Sequence, residues 1–273
     1  MKVQPSVWPT VFLMILLVTS LSRIVAADIQ TVRIACEDKA SPPIILGFGE
    51  NIPSTDPGVA IDVLNNIAKE LNIRITYSRF PWKRALKELQ ENTIDAVFFA
   101  SYNESRLEYG VYPMKDGKID TSKHFIALSY VLYTLKDSPL QWDGKRFIGL
   151  TGSIGAPLGY SIVDDLEKMG VPVDLSPERR HDFLKLTRGR VQGVAAQDML
   201  ADPYLFFNPD IAQQVKKVLP PITTKYYYLL LSKGFVEAHP QLAQQIWGKI
   251  EEKRENGTID GLIKQYYPFY PEE

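Results

Sequence analysis

The sequence has a single cysteine, Cys36, and three histidines, His124, His181 and His239, among 273 residues. One thiol cannot close an intramolecular disulfide, so no cross-linked framework holds the fold. The histidines stand far apart, in no spacing that suits a metal site or a catalytic triad. There is no surplus of one charge either: 31 Lys and Arg face 32 Asp and Glu, which leaves no electrostatic footprint for nucleic acid. The apolar stretch at residues 11–18 is eight residues long, well short of the about 20 that a bilayer core requires. What remains is ordinary for a globular protein, with 45% hydrophobic and 23% charged residues in a chain long enough for one large or two medium cores.

The first residues have a leader's layout. Lys2 precedes the short apolar stretch, and the small residues Val25-Ala26-Ala27 stand just ahead of Asp28. Residues 1–27 read as a signal peptide. Their removal takes Lys2 and Arg23 and no acid, so the mature chain is mildly acidic. Cys36 lies in the apolar run Val32-Arg33-Ile34-Ala35 and reads as a buried strand residue. A lipid-modified cysteine would have to stand at the cleavage site, so the expectation is a protein free in the periplasm.

Along the mature chain, residues 31–36 are β-rich, 58–71 place Val59, Ile61, Val63, Leu64, Ile67 and Leu71 at largely helical spacing, and 73–77 read as a second strand. A short helix at 82–90 and an apolar strand at 94–100 complete an α/β lobe. The pattern restarts with a strand at 147–150, a helix at about 156–169, a strand at 171–175, a helix near 181–186 and a strand at 191–196. An ungapped repeat at an offset of 97 residues links the two halves: Leu89, Asn92, Ile94, Val97 and Ser101 correspond to Leu186, Gly189, Val191, Val194 and Asp198. Ligands of open α/β sheets bind beyond the carboxyl ends of the strands, which makes Ser101 and Asp198 candidates to face each other across a cleft. Residues 129–136 and 224–232 read as paired hinge strands, and 240–253 and 257–267 as helices that return to the first lobe. The expected division is 28–133 with 226–273 for lobe one and 134–225 for lobe two.

Several segments, in this order and spacing, resemble the family-3 periplasmic solute-binding proteins. They are Val32-Arg33-Ile34-Ala35 leading to Pro42-Pro43, Gly58 with Asp62, Ile94-Asp95-Ala96-Val97 before Glu104-Ser105-Arg106, Gly144-Lys145-Arg146 leading to Gly152-Ser153, Gly189-Arg190-Val191, and Asn256-Gly257-Thr258-Ile259-Asp260. The resemblance implies the type II periplasmic-binding-protein fold, two α/β lobes joined by two strands, and a small polar ligand such as an amino acid or related carboxylate. It further implies a monomer without cofactor that delivers its ligand to an ABC permease in the inner membrane. A stand-alone binder reporting to a sensor partner would have the same cleft chemistry. A dehydratase-type enzyme on this fold would need a cleft carboxyl as general acid.

By the same resemblance Arg106 grips a ligand carboxylate and Ser101 adds a hydrogen bond. The chemistry agrees, because a planar guanidinium holds a carboxylate bidentately, although Glu104 and Glu108 also offer Arg106 a plain surface ion pair. Gly152 and Ser153 match a loop that offers backbone N–H groups to the carboxylate. The family's ammonium-binding aspartate falls on Gln197, with Asp198 one place later. Adjacent residues at a strand end point in opposite directions: if Gln197 faces the cleft the ligand need not carry an ammonium group, and if Asp198 does, a cationic ligand fits. Asp38 and Glu37 after the first strand could add negative charge, and Trp82, Tyr102 and Tyr160 are aromatic candidates for ligand stacking. N-terminal sequencing of the exported protein is expected to begin at Asp28; intact Met1 in a membrane fraction would contradict the leader reading.

Overall fold

The computed structural model describes residues 1–2 and 29–266, so the expected cleavage site at Ala27 lies outside the described residues. No helix among the described residues is long and apolar enough to cross a membrane. In the first lobe, strands β1 (Thr31–Glu37), β2 (Arg74–Phe80) and β3 (Ala96–Ser101) run parallel, connected through helices α1 (Val59–Leu71) and α2 (Trp82–Gln90). Helix α1 forms because Val59, Val63, Leu64 and Ile67 share a stripe that buries against Val32 and Ile34 of β1. It begins at Gly58, whose φ of 106° and 2.6 Å gap between a built Cβ and the Ile44 carbonyl oxygen admit no side chain. It stops at Asn72, a left-handed residue whose N–H returns to the Ala68 and Lys69 carbonyls. The C-terminal helices Pro240–Glu255 and Thr258–Tyr266 come back to this lobe, where Trp247 Nε1 donates to the Leu229 carbonyl at 2.9 Å.

The second lobe repeats the plan. After the crossing strand β4 (Ile126–Leu135) come β5 (Ile154–Pro157), α3 (Ser161–Lys168), β6 (Val173–Ser176), α4 (Arg179–Thr187), β7 (Gly193–Gln197) and α5 (Asp198–Phe206). The 18-residue strand β8 (Val215–Ser232) then returns to lobe one. All eight belong to one sheet in the order β6-β5-β7-β4-β8-β3-β1-β2, joined by a short strand, Gly110–Val111, against β8. Each lobe therefore contributes parallel strands in the order second, first, third, followed by one antiparallel strand. Cys36 is fully buried in β1, and burial pushes its thiol up to about 11.

Two local readings are corrected. The first strand of lobe two is Ile154–Pro157, whereas residues 147–148 form a small hairpin with residues 141–142. The helix expected from about 156 starts at Ser161. The segment Ile-Gly-Ala-Pro has little β-propensity of its own. It is a strand because parallel neighbours flank it on both sides, and Gly155 lets α4 approach, leaving a built Cβ only 3.3 Å from an Asp182 oxygen.

The second correction concerns the repeat. Within β3, Phe99 has a φ of 68° and the register against β8 slips by one residue, a β-bulge, whereas β7 pairs with β4 without a break. The bulge places Ser101 opposite Tyr227, just as Gln197 lies opposite Tyr130. Ser101 is thus matched by Gln197, not Asp198. Strands β4 and β8 pair from Val215 with Leu135 to Tyr227 with Ile126, with an irregularity between Val218 and Thr223. Leu128 and Tyr227 pack in the core of lobe one, while Tyr130 and Ile222 pack in that of lobe two.

Asp182 on α4 is 0% exposed, and neither carboxylate oxygen has a hydrogen-bond partner. Burial raises its carboxyl to about 7, with the Ser176 hydroxyl, Lys185 and Arg179 offsetting only part of the effect. The native chain therefore holds this proton to about pH 7, whereas the unfolded chain loses it near pH ~4. Stability from this group is complete below the unfolded value and is lost as pH rises through the folded one, with a slope of up to ~1.4 kcal/mol per unit. Asp182→Asn should flatten that slope and be the more stable protein at pH 8. Urea denaturation at pH 5 and pH 8 checks this: an equal difference between variant and wild type at both pH values would contradict it.

Candidate functional site

The carboxyl ends of β3 and β7 meet where β4 and β8 cross, and between the lobes there is a cavity of about 30 Å³. Lobe one supplies Trp82, Phe99, Ser101 and Arg106; lobe two and the crossing strands supply Tyr130, Tyr160, Gln197 and Tyr227. The lobes touch directly. Ser101 Oγ lies 2.7 Å from Ser161 Oγ, Trp82 Nε1 donates to the Gly159 carbonyl at 3.1 Å, Asn103 Nδ2 donates to Asp164 at 2.5 Å, and the Tyr160 hydroxyl donates to Glu37 at 2.6 Å.

Arg106 is set by the turn that follows β3. Asn103 caps a single 3₁₀ turn, Glu104–Glu108, by accepting the Ser105 N–H, and the turn aims Arg106 inward while Glu104 and Glu108 stay exposed. Arg106 is 3% exposed. Nη1 donates to the Ser101 carbonyl at 2.7 Å, Nη2 to the Gly159 carbonyl at 3.3 Å, and the group lies 5.4 Å from the centre of the Trp82 ring. Among the described residues no carboxylate forms an ion pair with it, so the surface pairing with Glu104 or Glu108 does not occur.

Facing it, Gln197 is 1% exposed; its Nε2 donates to the Tyr227 hydroxyl at 2.8 Å, which donates to the Tyr130 hydroxyl at 3.0 Å. Gln197 Oε1 is buried without a partner. Asp198 is not brought to the cavity. It starts α5, accepts the Met199 N–H at 2.8 Å and lies 4.0 Å from Lys217, because the bulge in β3 shifts the ungapped match by one residue.

Of the other expected residues, Ser101 and Trp82 line the cavity, and so does Tyr160. Gly152 and Ser153 do not. They precede β5 at its amino end, where the Gly152 N–H is held by Gln192, and the loop that meets lobe one is instead Leu158-Gly159-Tyr160. The expectation failed because strand and helix both lie farther along the chain than their local composition suggested. Tyr102 turns to the opposite face, edge-on to Tyr112 at 5.3 Å, and lines a groove behind the crossing strands. Asp38 is outside the cavity lining, with Oδ1 buried and unpartnered. Glu37 is the acid bonded to Tyr160, and burial raises its carboxyl while that bond and Lys39 lower it.

Sequence reasoning missed Tyr130, Tyr227, Phe99 and Ser161. A signal for the first two was present: they are 97 residues apart, the offset of the repeat. Among the described residues no group of three His, Cys, Asp or Glu could hold a metal.

The chain matches the bacterial extracellular solute-binding proteins, family 3, over residues 53–269, and it belongs to that family. No curated protein sequence matches it. Solved structures with the same type II periplasmic-binding fold include the arginine-, lysine-, histidine-binding protein ArtJ from Geobacillus stearothermophilus, with TM-score 0.67 and 14% identity over 89% of this chain and 97% of that one. The GluR0 ligand-binding core from Nostoc punctiforme in complex with L-glutamate has TM-score 0.67 and 15% identity over 86% and 99%. A histidine kinase sensor domain with similarity to periplasmic binding proteins has TM-score 0.67 and 14% identity over 87% and 96%. At these identities the likeness is one of fold.

Proposed function

We propose that this family-3 protein captures a small carboxylate between its lobes, with Arg106 as the anchor, and releases it to an ABC permease after export to the periplasm as a monomer. One observation carries the reading: Arg106 is a buried, permanently charged group facing a cavity, with carbonyl and hydroxyl oxygens but no anion as partners. Removing a charge from water is expensive unless an opposite charge joins it, and a ligand carboxylate would be that charge. Ser101 and Ser161, whose hydroxyls meet across the cleft, are placed to bond the same ligand once the lobes separate around it.

The cavity of about 30 Å³ is far below the ~300 Å³ or more of a typical ligand pocket. Ligand therefore enters an open form. The lobes swing about the segments of β4 and β8 where packing passes from one core to the other, residues 128–130 and 222–227. The likeness to a histidine kinase sensor domain supports a second reading, in which the closed form is recognised by a signalling partner. Among the described residues no carboxylate lines the cavity, which supports binding over a dehydratase-type reaction.

With the ligand identified by native mass spectrometry of the freshly purified protein, Arg106→Ala should weaken binding by about 2–5 kcal/mol, roughly 30-fold to a few thousand-fold. Arg106→Lys should recover only part of the loss, because an ammonium cannot reproduce the paired contact. Glu108→Ala, at an exposed position, is the control. Calorimetry decides: affinity of Arg106→Ala within threefold of wild type removes the anchor role.

A further inference from the structure

Given an anion held by Arg106, the opposite wall of the cavity says what the rest of the ligand is. At the lobe-two position that matches Ser101 stands Gln197, a neutral amide with one side tied to Tyr227 and a buried oxygen that accepts nothing. Asp38 lies outside the cavity lining, and the other acids nearby are engaged elsewhere. Glu37 takes the Tyr160 hydroxyl, Asp164 takes Asn103, Asp165 pairs with Lys225 at 2.5 Å, and Asp198 is turned toward Lys217. Among the described residues the one formal charge lining the cavity is thus the positive charge of Arg106.

An α-amino acid carries its ammonium on the carbon next to its carboxylate. With the carboxylate on Arg106, that ammonium would be desolvated against an uncharged amide, close to another cation, with no counter-ion. A hydroxyl at the same carbon would donate to Gln197 Oε1 without that penalty and would satisfy an atom that is otherwise an orphan. Phe99, stacked on Tyr227 at 4.5 Å, and Tyr160 give the remaining wall an aromatic character suited to an apolar side chain. The aromatic faces could also hold a quaternary ammonium. Such a group has no hydrogen to give Gln197, and Arg106 already occupies the Trp82 face. We infer that the ligand is a 2-hydroxy acid with an apolar or aromatic side chain, not an α-amino acid.

Matched pairs test this on the mature chain stripped of ligand by unfolding and refolding: 3-phenyllactate with phenylalanine, 2-hydroxyisocaproate with leucine, lactate with alanine, and glycine betaine beside them. By calorimetry, the hydroxy acid of at least one pair should bind ten times or more tighter than its amino partner. Gln197→Glu, which places a carboxylate at the same reach, should reverse that preference. The wild-type comparison decides even if this variant fails to fold. The inference is overturned if no pair shows that tenfold preference, which includes the case in which no hydroxy acid binds, or if glycine betaine binds more tightly than every hydroxy acid. Arg106→Ala separates the two levels: amino-acid binding that this variant abolishes overturns the hydroxy-acid inference alone, while binding that survives it overturns the carboxylate anchor.

Discussion

The antiparallel pairing of β4 with β8 is the constraint on which the rest of the molecule depends. It is the junction through which one continuous sheet runs across both lobes, and its register fixes where the carboxyl ends of β3 and β7 meet. A slip of one residue in either strand would turn Tyr130 or Tyr227 away from the cavity, since side chains alternate along a strand. The bond between the two tyrosine hydroxyls and the one from Gln197 tie that register to the floor of the site. Because these groups are buried, each bond lost would leave an unsatisfied polar atom.

Around this junction the molecule is built by near-duplication with one deliberate difference. Strand order, connecting helices and the opposed tyrosines repeat between lobes, but β3 carries a bulge that β7 lacks. The asymmetry sets Arg106 of lobe one against an uncharged lobe-two wall. Behind the strands, Asp95 and Gln192 play parallel roles at the same repeat position, each accepting backbone N–H groups from the start of its lobe's first strand or the loop just before it.

Much of this frame was legible in the sequence. The α/β alternation, the apolar β3 and β7 and the two β-rich crossing runs follow from hydrophobic spacing, while the inward arginine beyond β3 was legible through the family resemblance. The failures have specific physical causes. A left-handed phenylalanine leaves no mark in a sequence, so the bulge at Phe99 could not be foreseen, and with it went the pairing of Ser101 with Gln197. Strand β5 was missed because its four residues include a Gly and a Pro and its second half was read into the following helix; sheet neighbours and the approach of α4 overruled that preference. That error displaced the expected anion loop to Gly152 and Ser153, and the loop from Leu158 to Tyr160 stands in its place.

The contacts that join the lobes have a kinetic meaning. Asn103 with Asp164 and Lys39 with the Pro177 carbonyl lie outside the cavity lining, so they hold the lobes together whatever lies inside. In the proposed cycle a guest can depart only after such bonds break, so residence time is governed as much by the lips of the cleft as by what lies inside. Weakening one of them would shorten the dwell of every guest alike and leave the ranking among guests untouched. Selectivity and retention would then reside in different residues, free to be adjusted separately.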